Sequence, residues 1–289
     1  MNLCLRVVGR RRDGYHLLDS VFVPIDLCDE LRVTVDAIGR GVPTRIEVQC
    51  DRADVPEDAS NLAARATAAL LAERELGASV RIVIAKTIPP GAGLGGGSGN
   101  AATVLRALNT WLGLDIAPPR LRELALALGA DVPFFLVGAP ARVRGIGEDV
   151  QPIADFAALA LVVAIPPVAV STAWAFRAFA ELVPSPVASG DEAARLAAGA
   201  PPTQALLVND LERVVLPAFP AIAELKRRLL ASGAEAAVMS GSGAAIIGVV
   251  PSRADAERLA AEVRTRAPEV AVYAVGTDLP EVDRVGSTA

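Results

Sequence analysis

Apolar residues recur at two periods along this chain. From 79 to 86, in SVRIVIAK, they alternate with polar residues and are β-branched, which predicts a half-buried strand. Ala101, Val104, Leu105, Leu108 and Leu112 then follow the i, i+3, i+4, i+7 spacing of an amphipathic helix, and Gly113 supplies its stop. Residues 3–8, 15–27, 31–35 and 45–50 read as earlier strands. A helix capped by Asp58 or Ser60 is expected to run to about residue 76, with Gly77 after it. Pro118 and Pro119 open another helix, which stops at Gly129.

The second half alternates element types. An apolar run over 156–170 is broken by Pro166 and Pro167 and is too short to span a bilayer, so it reads as a buried strand. A helix starts near Thr172. The Pro/Ala/Ser/Gly-rich stretch 183–202 reads as a surface loop with helix over 191–198. A helix over 219–232, a strand-loop-strand in AAVMSGSGAAIIGVV, a helix over 254–266 and a strand over 270–275 complete the chain. This order predicts an α+β second domain with an antiparallel sheet. A boundary near 151–155 gives two domains, 1–153 and 154–289.

Composition narrows the function classes. The 289 residues are 52% hydrophobic but only 4% aromatic, so the core is built from Ala, Val and Leu. A net charge of -5 argues against a nucleic-acid or anionic-membrane surface. Cys4, Cys28 and Cys50 lie far apart, and His16 is the single histidine. That excludes a structural zinc site and a Ser-His-Asp or Cys-His centre within the chain. Unpaired cysteines, and Arg6 interrupting the apolar start, predict a cytoplasmic protein.

The chemistry concentrates in KTIPPGAGLGGGSGN, from Lys86 to Asn100. Six glycines between Gly91 and Gly99 join the alternating strand to the helix. Such a loop lets backbone N–H groups converge, and the helix start adds unpaired N–H groups and a positive dipole end. The expected ligand is a polyphosphate. The loop lacks the Gly-Lys-Ser/Thr ending of a Walker motif, and its match to G-x-G-x-x-G is the kind glycine runs produce by chance. A flexible linker would seldom sit between a clean strand and a clean helix.

Four segments stand together: GRRRDGYHLLDSVF from Gly9, PPGAGLGGGSGNAATVL from Pro89, LGADVPFFLVG from Leu128 and MSGSGAAIIG from Met239. Together they resemble the small-molecule kinase superfamily of galactokinase, homoserine kinase, mevalonate kinase and phosphomevalonate kinase. RRRDGYHLL with GGGSGNAAT and GADVPFF is similar to the branch that phosphorylates 4-diphosphocytidyl-2-C-methyl-D-erythritol. The resemblance spans nearly the whole chain. It implies a soluble kinase, monomeric or homodimeric, that uses ATP and Mg²⁺ on the 2-hydroxyl of that small molecule, a step toward isoprenoid precursors. It implies an N-terminal α/β domain of ribosomal-protein-S5 type, a ferredoxin-like C-terminal domain and an active site in the cleft between.

Residue roles follow from the same resemblance. Pro89, Pro90, Gly91, Ala92, Gly93, Leu94, Gly95, Gly96, Gly97, Ser98 and Gly99 would wrap the ATP phosphates. Ser98 would hold Mg²⁺ or a phosphate oxygen; read alone, it could equally be the helix cap. The family pattern has a second serine where Gly99 stands, so one hydroxyl is missing. Asn61 and Lys86 match positions near the adenosine, against plainer readings as a helix cap and a solvated strand end. Asp131 matches the catalytic carboxylate, a general base for the attacking hydroxyl, although alone it reads as a turn or capping Asp. Tyr15 and His16 would hold the cytosine by stacking and hydrogen bonding, with Phe176 on its other face; core packing is the plainer reading of Phe176. Asn2 would lie near the methylerythritol. Gly241, Ser242 and Gly243 would cradle the substrate diphosphate, or else form only a hairpin turn.

One position departs from the family. Its first strand opens Lys-hydrophobe-Asn-Leu, and here Met1-Asn2-Leu3 fills the last three places. The lysine falls before residue 1, and Lys86 and Lys226 are the only lysines in the chain. Two readings compete: a start assigned too late, or a short form that is a weakened kinase or a nucleotide-binding module; a related kinase with another acceptor is the remaining alternative. Either of the first two predicts weak turnover by the 289-residue chain with ATP binding retained.

Overall fold

The computed structural model describes residues 1–183 and 190–278. Eleven strands and nine helices are present among them. They form two compact units that interleave along the chain. One holds Met1–Leu27, Gly91–Leu94 and 139–278, and the other holds Cys28–Pro90 and Gly95–Gly138. Contact compactness and the sequence boundary at 153/154 are therefore different divisions of the molecule.

In the unit formed by Cys28–Pro90 and Gly95–Gly138, β3 (Glu30–Gly39), β4 (Arg45–Cys50) and β5 (Gly77–Ala85) make a sheet in the order β3-β5-β4. β3 runs antiparallel to β5 and β4 runs parallel to it. A parallel pair needs a crossover, and α1 (Leu62–Glu73) supplies it. The alternation read in the sequence sends Val80, Ile82 and Ile84 into the core and leaves Arg81 and Val83 exposed. α2 (Gly96–Trp111) buries the predicted Ala101, Val104, Leu105 and Leu108, and Gly113 takes the left-handed conformation just past its end. α3 (Pro118–Leu128) begins at its prolines as expected. A short α4 (Val132–Val137) follows, which the sequence reading missed.

Two expectations about α1 need correction. Its cap is Asn61, whose Oδ1 accepts the Ala63 N–H at 2.9 Å, not Asp58 or Ser60. Gly77 is not its stop but the first residue of β5, pressed so closely on the Val42 carbonyl that no side chain fits there.

In the other unit, β1 (Asn2–Arg10), β2 (His16–Phe22), β6 (Ala141–Gly145) and β7 (Asp149–Pro152) form an antiparallel sheet in chain order. β2 ends at Phe22, short of the predicted 27, and the β6–β7 hairpin was not foreseen. The second sheet contains β8 (Ala160–Ile165), β9 (Ala236–Met239), β10 (Ile246–Val250) and β11 (Ala271–Gly276), ordered β11-β8-β10-β9 and wholly antiparallel. With α5 (Thr172–Leu182), α6 (Glu192–Ala197), α7 (Glu212–Ala218) and α8 (Pro220–Ala231) after β8, and α9 (Arg253–Arg266) after β10, this is the ferredoxin-like arrangement expected. α7 is the one helix here that the sequence reading missed. Of the predicted loop 183–202, residues 184–189 lie outside the described residues.

Each unit holds one lysine in an ion pair. Lys86 Nζ lies 2.6 Å from Asp29, with both side chains almost fully buried. Lys226 Nζ lies 2.6 Å from Glu212, also largely buried. No helix of the described residues is long and apolar enough to cross a membrane.

Candidate active site

Beta-strand β5 delivers the chain to the glycine loop, and Asp29 fixes the delivery. Its Oδ1 accepts the N–H groups of Thr87 and Ile88, each at 2.9 Å, and its Oδ2 pairs with Lys86. Lys86 also donates to the Ile88 carbonyl. The plainer reading of Lys86 as a solvated strand end is overturned, since its ammonium is enclosed and already occupied. Removing one partner of a buried pair strands the other charge, at about 3–5 kcal/mol. Asp29→Ala should therefore lose on the order of 3–5 kcal/mol in a urea melt. A loss within about 1 kcal/mol would place the pair with weak surface bridges.

Gly95, in the left-handed conformation, is the N-cap residue of α2. Ser98 is thus the third residue of the helix and not its cap, and no described residue takes a hydrogen bond from its hydroxyl. The first three N–H groups of α2, on Gly96, Gly97 and Ser98, have no partner within the helix. No described residue accepts from the N–H of Gly95 either. A run of free N–H groups leading into a helix N-terminus is an anion site in form.

Asp131 lies in the same unit, at the N-cap of α4, and its side chain makes no capping bond. The capping reading therefore fails. No described residue donates a hydrogen bond to this carboxylate. It reaches solvent, yet the protein around it raises its pKa, because burial disfavours the charged form by more than the α-ammonium of Met1 favours it. Four residues on, Phe135 packs under the glycine loop: a Cβ on Gly95 would meet its ring at 2.7 Å, and one on Gly99 would meet it at 3.5 Å. α4 is thereby packed through Phe135 against the start of α2, with Asp131 at its own N-terminal end. Asn61 is less available. Its amide donates to the Pro56 carbonyl at 2.7 Å while its oxygen caps α1.

The remaining predicted residues fall in the other unit. The turn Ser240–Gly243 joins β9 to β10, closed by the Gly243 N–H to the Ser240 carbonyl at 2.9 Å. Gly93 packs on this turn so tightly that a Cβ would lie 2.3 Å from the Ser240 carbonyl and 2.9 Å from that of Gly243. The Ser242 hydroxyl meets Thr172 Oγ1, at the start of α5, at 2.8 Å. Asn2 is buried, donates from its side chain to Ser20 Oγ at 3.0 Å and places its Oδ1 beside Gly241.

His16 stacks directly on Phe176, with ring centroids 5.1 Å apart and planes at 24°. Tyr15 stands 59% exposed at the tip of the turn before β2. The pair His16 and Phe176 is thus brought together, but one face of Phe176 is covered by the imidazole rather than open to a base. Burial, then the neighbouring Arg10, lowers the His16 pKa below 6.5. A neutral imidazole keeps one donor and one acceptor, the pair a cytosine edge requires. An NMR titration should place its midpoint below 6.5. The unfolded chain protonates first as pH falls, so stability is untouched above 6.5 and declines below it.

Sequence reasoning passed over Asp29, Phe135, Ser240 and Asn209. Only Asn209-Asp210 left a trace, a polar pair set between LLV and Leu211 in an apolar stretch.

Two family models match the chain. Residues 61–139 match the GHMP kinases N terminal domain, and residues 192–269 match the GHMP kinases C terminal domain. A 4-diphosphocytidyl-2-C-methyl-D-erythritol kinase of Geobacter metallireducens is 42% identical over 276 residues, 95% of each chain. The kinase of that name from Symbiobacterium thermophilum is 42% identical over 269 residues, covering 91% of this chain and 93% of the relative. A crystal structure of 4-(cytidine 5'-diphospho)-2C-methyl-D-erythritol kinase superposes with a TM-score of 0.76 at 36% identity, covering 95% of each chain. The homoserine kinase of Cytophaga hutchinsonii, at 21% identity and TM-score 0.67 over 90% of this chain and 88% of its own, shares the fold.

Proposed function

The chain belongs to the GHMP kinases and, within them, to the 4-diphosphocytidyl-2-C-methyl-D-erythritol kinase family, and we propose that it phosphorylates the 2-hydroxyl of that compound with ATP. The observation that carries the reading is Asp131, a carboxylate that accepts no hydrogen bond from a described residue, on a helix whose Phe135 packs beneath the glycine loop. The names of the relatives supply the acceptor.

In this reading the N–H groups of Gly93–Ser98 neutralise the triphosphate, and the carboxylate of Asp131 takes the proton of the 2-hydroxyl. The freed oxygen attacks the γ-phosphorus, the bond to the β–γ bridging oxygen breaks, and ADP leaves. Positioning and charge neutralisation do most of the work in such transfers. A raised Asp131 pKa makes the carboxylate a stronger base than an ordinary one. Mg²⁺ fits as a metal that arrives with the nucleotide. The described residues contain no cluster of three His, Cys, Asp or Glu able to cage it, and Mg²⁺ ordinarily takes few protein ligands beside phosphate oxygens. Ser98 is the residue that would hold it, and it would stabilise charge on the transferring group.

Tyr15, His16 and Phe176 form the cytosine-binding group, with His16 giving up part of its stack on Phe176 to admit the base. Asn2 faces the methylerythritol, and Gly241, Ser242 and Gly243 face the diphosphate. Asn61 and Lys86 act by shaping the chain around the adenosine, since their polar atoms are engaged elsewhere. ATP is held on 1–153, and the acceptor is shared between Asn2, Tyr15 and His16 of that segment and Phe176 and Gly241–Gly243 of 154–289, in the cytoplasm, where three free cysteines stay reduced. An ADP-release assay with a panel of acceptors tests the reading. ADP should form with the cytidyl compound; release with homoserine or mevalonate and none with the cytidyl compound would overturn it.

A further inference from the structure

Asn209 is 3% exposed and commits both amide N–H groups to one turn. It donates to the Met239 carbonyl at 2.7 Å and to the Gly241 carbonyl at 2.8 Å. Its Oδ1 accepts the Leu211 N–H at 2.9 Å, so the amide cannot rotate freely. Its backbone is pinned as well, because Leu5 receives from Asp210 and donates to Val208 across a parallel bridge to β1.

Between the two carbonyls that Asn209 holds stands Ser240, fully buried. Its hydroxyl accepts the Asn2 N–H at 3.2 Å and donates to the Gly93 carbonyl at 2.8 Å. Its own carbonyl takes the Gly243 N–H. The carbonyls of residues 239, 240 and 241 are thus all tied back into protein. The N–H groups of Gly241 and Ser242, the two central residues of the turn, meet no acceptor among the described residues. A turn whose carbonyls are fastened inward and whose amides are left free is set for an anion.

We propose that Asn209 is a positioning residue for diphosphate recognition, holding the 239–243 turn with its N–H groups free, and that Ser240 locks this turn to Gly93. The inference rests on the reading of Gly241–Gly243 as the diphosphate loop. Without the amide, the Met239 and Gly241 carbonyls lose their donors and can turn toward the ligand, where they repel phosphate.

The test compares affinities for cytidine diphosphate and for cytidine, by calorimetry on the full chain. The unaltered protein should bind the diphosphate much more tightly; if it binds the two equally, the diphosphate-loop reading itself falls. Asn209→Ala should weaken cytidine diphosphate about tenfold or more and leave cytidine within about twofold, as expected for lost charge-assisted contacts. Ser240→Ala should shift the same ratio by about threefold, and it serves as the second arm should Asn209→Ala not fold. Asp210→Asn is the structural control. Its carboxylate holds Arg6 and the Val7 N–H but not the turn. It should lower the melting temperature with the ratio unchanged. An unchanged ratio in both alanine variants, or equal loss of both ligands, would overturn the assignment of Asn209.

Discussion

Asp131→Asn should lower kcat by about 10²–10⁴, the usual contribution of a positioned general base, and leave ATP affinity within about twofold. The amide keeps the shape of the side chain and loses only the basic oxygen. Free N–H groups of the loop, not this carboxylate, are assigned to the triphosphate. Stability should move the other way. The folded protein raises the pKa of this acid, so above that raised value the unfolded chain holds the charge at less cost. A neutral amide at this position removes that penalty, and the variant should melt no lower than the parent at neutral pH. A joint reading of turnover and melting is therefore diagnostic. A variant that kept full turnover would take the chemistry away from position 131. One that lost turnover only by unfolding would show a scaffold residue instead.

Gly93→Ala should be the most disruptive single methyl in the glycine loop. Gly93 has φ +77, where an L side chain costs of order 1–3 kcal/mol. Its added carbon would also sit 2.3 Å from a backbone carbonyl, which has no side-chain rotamer by which to yield. Strain and collision act on two loops at once, because Ser240 is bonded to Gly93 and its turn carries the free amides of Gly241 and Ser242. We expect a stability loss of about 2–4 kcal/mol by urea titration and at least tenfold weaker binding of cytidine diphosphate. Gly91→Ala is the matched comparison. Gly91 also has positive φ, but a Cβ there would meet nothing within 4 Å. It should cost only the backbone term, about 1 kcal/mol. Equal effects at both positions would mean that the tight packing on Gly93 contributes nothing.

Much of this architecture could be read from the chain because local and tertiary preferences agree. The alternation in β5 and the 3.6-residue period of α2 each bury the predicted side chains. The order strand, helix, helix, strand, strand, helix, strand after residue 156 predicted an α+β domain with an antiparallel sheet, and the resemblance added its ferredoxin-like form. What escaped depended on distance. α4 and α7 are only 6 and 7 residues long, too short to display a helical period. The β6–β7 hairpin is rich in arginine and glycine and gains its identity by pairing with β2. At the site, the glycine loop and Asp131 were legible, because glycine density and a carboxylate after a helix stop leave local marks. Asp29, Ser240 and Asn209 were not. Their work is to tie together segments 30 to 240 residues apart, and a single serine or asparagine has no local signature for that task. Lys86 misled for the converse reason. An ammonium at the end of an exposed-looking strand gives no hint of the carboxylate 57 positions earlier that encloses it.

That enclosure has a practical side. The chain carries two primary amines on side chains, one per compact unit, and each is clasped by an acid. Acylating reagents attack amines that are uncharged and uncovered, so the folded protein shields both. Tagging at residue 86 then marks opening of the sheet-and-helix unit that holds Asp29, and tagging at residue 226 marks opening of the ferredoxin-like one. The molecule contains its own pair of independent reporters, readable peptide by peptide in a mass spectrometer without any engineered label.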